Sequence, residues 1–198
     1  MERLRDNSAG GKRPVLKLAR PAVFAICLIL ALTIGFKNDI FAAAFWDIVT
    51  KEDYPLVINE VLAINRGLFQ DGTGDYSGFI ELYNSSDQPV NLKGFGLSAD
   101  PQSPFTWRFP DIEIGPESFL AVYTTGNDLT DESGGIHAGF KLRETDNVIT
   151  LTSPRGKWST RMVLGDMQEN ISQGRYPDGS DTIACFDGAT AGAPNTIG

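Results

Sequence analysis

The chain has 198 residues and 41% of them are hydrophobic, which argues against a disordered protein and predicts one domain with additional segments. Its 21 glycines and 11 prolines separate short β-prone runs, so the composition favours an all-β domain over a helical one. From Phe45 onward, 10 Lys and Arg residues stand against 22 Asp and Glu residues, a net charge of −12. Such an acidic domain repels phosphate backbones, and no nucleic acid partner is expected.

The N-terminal part has the charge pattern of an export signal. Residues 1–21 form a basic leader that is predicted to stay in the cytoplasm, and residues 22–44 form an apolar segment with no charge before Lys37. If this segment is a retained helix, it is a signal anchor and the protein is a single-pass membrane protein with its domain outside the cytoplasm. If the small residues before Phe45 are cleaved, with the cut after Ala44, the protein is secreted.

After a spacer at residues 45–54, the chain consists of short β-prone runs separated by Gly, Pro, Asp and Asn. Two polar loops are predicted at residues 66–77 and 125–135. The predicted strands are residues 56–65, 78–84, 90–92, 94–98, 105–110, 118–124, 138–142, 148–151, 158–164 and 171–176. This spacing predicts an immunoglobulin-like β-sandwich over residues 55–196.

Several sequence blocks, taken in order, resemble the lamin-tail domain family in its bacterial extracellular branch. The matching blocks are Ile-Asn-Glu at 58–60, Ile-Glu-Leu-Tyr-Asn at 80–84, Gly-Phe-Gly-Leu-Ser at 94–98, Trp-Arg-Phe-Pro at 107–110, His-Ala-Gly-Phe-Lys-Leu at 137–142, Gly-Arg-Tyr-Pro-Asp-Gly at 174–179 and Ala-Gly-Ala-Pro-Asn at 191–195. The residues that carry this motif are Asn59, Glu60, Glu81, Asn84, Trp107, His137, Arg175 and Asp178. The chain departs from the family at Gly78 and Phe79, where Asp and Trp are usual.

The resemblance implies an immunoglobulin-like sandwich with no catalytic activity established for the domain itself. It implies a tethering or interaction module, and the export pattern of the N-terminal segment predicts that this module belongs to the cell envelope, with that segment in the membrane and an envelope protein or a glycan as partner. The alternative is an accessory module that binds a polysaccharide or polyanion for a separate secreted or membrane-bound hydrolase. A third hypothesis is an enzyme whose metal is held by the Asp-rich loops.

Two glutamates, Glu60 and Glu81, occur in apolar strand surroundings and could share a proton or a cation. The alternative is structural: each glutamate faces the rim of the sandwich or pairs with an arginine such as Arg175. Cys27 and Cys185 fall in different environments, so no internal disulfide is expected, and a single histidine argues against a zinc site.

No cofactor is predicted except a calcium ion. Asp71 and Asp75 lie around glycines, and with Glu81 they could surround a hard cation with oxygens, although the spacing is not that of an EF-hand. The same residues are also typical of ordinary turns. The acidic residues of the second loop, Asp128, Asp131 and Glu132, have the same two interpretations.

The candidate ligand-binding residues are Trp107, Tyr176 and Arg175, in an aromatic surface that could stack on glycans or on a partner's side chains. In a sandwich, however, aromatic residues at alternating positions mostly fill the core. His137 lacks the neighbours of a catalytic histidine and is predicted to make a structural hydrogen bond.

Overall fold

The computed structural model of the protein describes residues 52–197, and every regular element in that range is a β-strand. The all-β prediction is therefore confirmed for this part of the chain. The predicted leader, residues 1–21, and the predicted membrane segment, residues 22–44, lie outside the described residues. Between residues 52 and 197 the structure contains no helix with the length and apolarity needed to cross a membrane.

The described residues form thirteen strands, most of them short. They are β1 Leu56–Leu62, β2 Phe79–Asn84, β3 Val90–Asn91, β4 Gly96–Ser98, β5 Trp107–Arg108, β6 Glu113–Ile114, β7 Phe119–Tyr123, β8 Leu129–Thr130, β9 Ile136–His137, β10 Val148–Thr152, β11 Ser159–Val163, β12 Ser172–Arg175 and β13 Ile183–Phe186.

The strands form two main sheets that enclose one hydrophobic core. The larger sheet has the order β13-β12-β1-β2-β7-β9-β8, the smaller has the order β11-β10-β4-β5, and β3 pairs with β6 separately. The larger sheet contributes Ile58, Ile80 and Leu82 to the core, and the smaller contributes Leu97 and Ile149. Two sheets packed around one core are consistent with the predicted immunoglobulin-like sandwich.

The opposite face of the larger sheet is also covered. Leu62 and Phe79 are register partners on β1 and β2 and are fully buried, yet they do not belong to the core between the sheets. Phe69, from the loop at residues 66–77, packs its ring 5.8 Å from that of Phe79. This outer face is therefore a second buried layer, and the loop is part of what covers it.

A β-bulge in β1 determines which side chains reach the outer face. Ile58 is opposite Leu82 and Glu60 is opposite Glu81, so Asn59 is the extra residue on β1. The bulge interrupts the alternation of side chains, because Leu56, Ile58 and Val61 all reach the core while Glu60 turns away from it. Glu60 and Glu81 therefore lie side by side on the outer face of the sheet.

The strand predicted at residues 138–142 is wrong. The pairing strand is β9, and its ladder ends with the bond from the Ala138 amide to the Tyr123 carbonyl at 2.8 Å. A Cβ at Gly139 would lie 3.3 Å from Trp107 Cδ1, so a glycine here lets the chain pass the indole ring. Strands β6, β8, β9 and β13 were not expected from the sequence.

Residues 52–54, which end the spacer predicted at residues 45–54, pack against the hairpin formed by β10 and β11. Glu52 is buried, accepts a hydrogen bond from the Ser153 hydroxyl and pairs with Arg155 at 2.6 Å. The ring of Tyr54 packs edge-on against those of Phe95 and Trp158. Residues 52–54 are thus integrated into the sandwich.

Candidate functional site

The outer face of the larger sheet holds a carboxylate cluster, which consists of Glu60, Glu81 and Asp178. Glu60 and Glu81 are cross-strand partners and are fully buried. Asp178 follows β12, and Asn59 at the bulge connects it to Glu81. Two fully buried carboxylates beside a third that is half-buried are unfavourable unless each one accepts several hydrogen bonds.

Glu60 is held by hydroxyl and amide donors. The hydroxyls of Ser172 and Thr190 donate to its two oxygens at 2.5 and 2.8 Å, and the Thr190 amide also points at the carboxylate. Burial raises the pKa of Glu60, and these hydrogen bonds offset part of that rise. The hydrogen-bond donors around Glu60 thus favour its charged form, while burial and the nearby charge of Asp178 oppose it.

Glu81 has fewer donors and a stronger preference for its neutral form. Asn59 Nδ2 donates to one of its oxygens at 3.1 Å, and the Gly192 amide donates to the other at 2.7 Å. Burial raises the pKa of Glu81 from its ordinary value of 4.5 to about 8, against these two hydrogen bonds, and the nearby charges of Glu60 and Asp178 add to the rise. Glu81 is therefore a buried group that can hold a proton near neutral pH.

The C-terminal segment, residues 190–195, covers the cluster. Besides the donors from Thr190 and Gly192, the Asn195 amide donates to Asp178 at 3.0 Å. The Asn195 side chain donates to the Arg175 carbonyl at 2.8 Å. The segment is thereby attached both to the end of β12 and to strands β1 and β2, whose glutamates lie more than a hundred residues away in sequence.

Neither glutamate faces the rim or pairs with Arg175, so that structural interpretation is wrong. Arg175 is buried, and its guanidinium donates to the carbonyl of Ile58 at 2.8 Å and to that of Ser180. Among the described residues, the carboxylate that it approaches is the exposed Asp181, at 3.5 Å. Arg175 has this role because the backbone at the bulge and at the turn after β12 leaves carbonyls that need a donor.

The structure does not bring Asp71, Asp75 and Glu81 together around one site. Asp71 Oδ1 accepts bonds from the Thr73 amide and hydroxyl and from the Asp75 amide, which closes a turn within the loop. Glu81 instead accepts hydrogen bonds from Asn59 and Gly192. Among residues 52–197, no three His, Cys, Asp or Glu side chains are grouped so that they could hold a metal ion.

In the second loop, Asp131 closes a similar turn and also binds His137. Its oxygens accept from the Ser133 hydroxyl at 2.6 Å and lie 2.9 Å from His137 Nε2. These hydrogen bonds lower the pKa of Asp131. His137 is fully buried. The observed contact has the geometry of the structural hydrogen bond that was predicted for His137.

The candidate aromatic surface is divided between the core and the exterior. Trp107 lies in the core against Phe109, and its indole N–H donates to Asp128 at 2.6 Å. Tyr176 is 37% exposed and precedes Pro177 in a cis peptide bond. Since Trp107 and Arg175 are buried, Tyr176 alone of the three is placed to meet a ligand at the surface. Asn84 is also buried, where its amide donates to the carbonyls of Gln88 and Gly115.

Sequence reasoning missed Ser172, Thr190 and Gly192 as partners of the carboxylates. One signal was present in β1, because its apolar residues, at positions 56, 57, 58, 61 and 62, do not follow strict alternation. That break indicates a bulge next to Glu60. The C-terminal donors had no comparable local signal.

Chelation of metal is expected to leave the stability of this domain unchanged. Asp71 Oδ1 and both oxygens of Glu81 already accept protein hydrogen bonds, so a calcium ion bound by these oxygens would have to displace those donors. We expect the thermal melt of a fragment comprising residues 45–198 to be the same with EDTA and with excess calcium. A melting temperature that falls by several degrees in EDTA and is restored by calcium, but not by magnesium, would contradict this expectation.

The sequence matches the model of a known protein family over most of the sandwich. The family model described as the Lamin Tail Domain matches residues 51–170, which include strands β1 to β11. A search of curated proteins found no match to the chain.

Proposed function

This chain belongs to the lamin tail domain family, and on that premise we propose that its sandwich is a non-catalytic interaction module that acts outside the cytoplasmic membrane. The family is one of non-catalytic immunoglobulin-like domains, and the match covers most of the sandwich. We further propose that the domain belongs to the bacterial extracellular branch of the family and that it acts as a tethering module of the cell envelope.

The non-catalytic proposal rests on the hydrogen bonds that the buried acidic residues accept. Glu60, Glu81 and Asp178 are directed at donors of their own chain, and residues 190–195 lie over them. A general acid or a metal ligand needs at least one oxygen that a substrate or an ion can reach. In this cluster the carboxylates instead connect distant parts of the fold.

The location rests on the sequence of the N-terminal region. The basic leader, residues 1–21, precedes the apolar segment at residues 22–44, an order that keeps the N-terminus in the cytoplasm and exports the downstream domain. We propose a single-pass membrane protein with its domain outside, and cleavage after Ala44 to release a secreted domain is the alternative.

Cysteine labelling tests the location directly. Cys185 is exposed on β13, so a Cys27→Ser variant carries one accessible thiol in the domain. We expect a membrane-impermeant maleimide to label this variant on intact cells, and the labelled chain to keep its full length and stay with membranes after a carbonate wash. Labelling only after lysis contradicts export, and a soluble chain that starts at Phe45 shows cleavage. A Cys27→Ser, Cys185→Ser double variant measures the background.

The interaction itself is tested by cross-linking the full chain on the cell surface and identifying the captured molecules. A reproducible envelope protein, absent when residues 52–198 are deleted, is the expected result. Retention on a polysaccharide that is lost in Tyr176→Ala would favour the alternative of an accessory glycan-binding module, because Tyr176 is the exposed member of the candidate surface. Failure to capture either kind of ligand on repeated trials contradicts the proposal.

A further inference from the structure

Strand β11 forms an edge of the smaller sheet, and one side of its backbone is unpaired among the described residues. It pairs with β10 in a regular antiparallel register. The Leu164 amide bonds to the Asn147 carbonyl, and the Ser153 amide to the Trp158 carbonyl, both at 2.8 Å. Successive residues of an antiparallel strand direct their backbone N–H and C=O groups alternately toward and away from the paired strand. The N–H and C=O groups of Ser159, Arg161 and Val163 therefore point away from β10.

This edge lacks two of the features that prevent strand addition at other sheet edges. It contains no proline and no bulge over its five paired residues. The side chains of Met162 and Leu164 enter the core, whereas those of Ser159, Arg161 and Val163 are exposed, with Val163 at 58%. An added strand would thus meet three free backbone positions together with a polar, a basic and an apolar side chain.

The edge is basic within an acidic domain. Residues 147–165 contain Arg155, Lys157 and Arg161 and no Asp or Glu. Arg155 is paired with Glu52, and Lys157 also lies within electrostatic reach of that carboxylate. The Arg161 side chain is exposed and makes no hydrogen bond or ion pair with any described residue. Its charge, in the middle of the open strand, is available to an incoming carboxylate.

We propose that the β11 edge binds an extended acidic segment of a separate protein, which adds to the smaller sheet as a fifth strand. The segment would place a carboxylate opposite Arg161 and an apolar β-branched residue opposite Val163. Backbone hydrogen bonds supply the binding energy in this mode, and the alternating side chains supply the selectivity. This inference rests on the interaction function proposed above, and it adds that the partner presents an extended acidic segment.

A second copy of this chain fits the edge less well. When two β11 strands pair antiparallel so that all three outward residues of each are used, Arg161 lies opposite Arg161, and like charges directly opposite are destabilising. Each copy also has a net charge of −12 from Phe45 onward, so two copies repel each other. An acidic strand on a separate protein avoids the first of these costs.

The test uses the full chain in detergent micelles with ¹⁵N labelling and two capped peptides. The first peptide has valine, glutamate and threonine at alternate positions, in the order that faces Val163, Arg161 and Ser159 in an antiparallel strand. The second has lysine in place of glutamate. We expect the acidic peptide to slow amide hydrogen exchange at Ser159, Arg161 and Val163 at least about tenfold, while Thr160 and Met162, already bonded to β10, change little.

The acidic peptide is expected to bind about fivefold more tightly than the lysine peptide, and Arg161→Glu should reverse this order. Val163→Pro should abolish binding of both, because it removes an outward donor without breaking a bond to β10. Arg66→Glu, at an exposed arginine paired with Glu169, is the matched control and should leave the order unchanged. An unchanged thermal melt confirms that each variant is folded.

Three results would overturn the proposal: no slowing of exchange at the three amides, an unaltered peptide preference in Arg161→Glu, or slowing that depends on protein concentration without peptide, which indicates a second copy. The proposed function is judged separately by surface cross-linking. If Val163→Pro captures the same envelope protein as the unmodified chain, the interaction function stands and the β11 edge is not its site.

Discussion

Replacing Asn59 with alanine is expected to lower the free energy of unfolding by about 3 kcal/mol. Asn59 is fully buried, and its amide group donates to Glu81 at 3.1 Å and to Asp178 at 2.9 Å. Its side-chain oxygen Oδ1 accepts from the Gly179 amide at 3.1 Å. Alanine would leave two carboxylates with one donor fewer beneath the C-terminal segment, and the cost of such groups exceeds that of an ordinary lost hydrogen bond.

Urea unfolding of a fragment comprising residues 45–198, followed by tryptophan fluorescence, measures this loss. Asn91→Ala is the matched control, because Asn91 also bonds to an aspartate, Asp111, at 2.9 Å but is exposed. The control is expected to change the free energy of unfolding by no more than about 0.5 kcal/mol. A loss below about 1 kcal/mol in Asn59→Ala would show that water or a rearranged C-terminal segment replaces the missing donor.

The second large effect concerns pH. Because burial raises the pKa of Glu81 to about 8, the folded domain keeps a proton on this group that the unfolded chain releases above about pH 4.5. The folded state thus binds more protons between these two values, and the free energy of unfolding must fall as the pH rises through that window. The decrease amounts to roughly 3–5 kcal/mol and ends above about pH 8. The pKa of Glu60 is also raised by burial, so Glu60 adds to the decrease in the free energy of unfolding as the pH rises.

Glu81→Gln should remove most of this pH dependence, since glutamine stays neutral at every pH. The measurement is the midpoint of urea unfolding at several pH values from about 5 to 9, for the unmodified fragment and the variant. Glu113→Gln, at an exposed position of β6, controls for the loss of one negative charge and should keep the slope of the unmodified fragment. A stability that rises between about pH 5 and 8 would show that Glu81 is ionised in the folded domain, and a full slope that persists in Glu81→Gln would show that another group, such as Glu60, causes the pH dependence.

Glu81 illustrates how a residue can be identified from the sequence while its environment cannot. The run Ile-Glu-Leu-Tyr-Asn at residues 80–84 was recognisable as a strand and as a family motif, and Glu81 stood out as its single charge. Its burial depends on the segment that carries the Gly192 amide, 111 residues away. No local pattern of apolar residues encodes which distant amide will cover a given carboxylate.

Arg175 and Trp107 illustrate the same limit for binding residues. Both are residue types that often recognise ligands, and both were candidates for that reason. Arg175 is instead buried against the Ile58 carbonyl at the β1 bulge, and Trp107 is buried in the core between the two sheets. Tyr176, one residue from Arg175, remains partly exposed. Arg175 is the last residue of β12, which is buried throughout, whereas Tyr176 lies beyond the end of that strand.

The sequence by itself determined that this part of the protein is all-β, because short β-prone runs interrupted by glycine and proline leave no period that a helix could use. It also determined the family, because seven blocks recur in a fixed order, and the charge asymmetry between the leader and the domain. Only the tertiary structure decided that Glu60 and Glu81 form a buried pair and that β11 is an open edge. Both depend on which strands become neighbours, and that pairing is set by long-range packing between segments whose local preferences are alike.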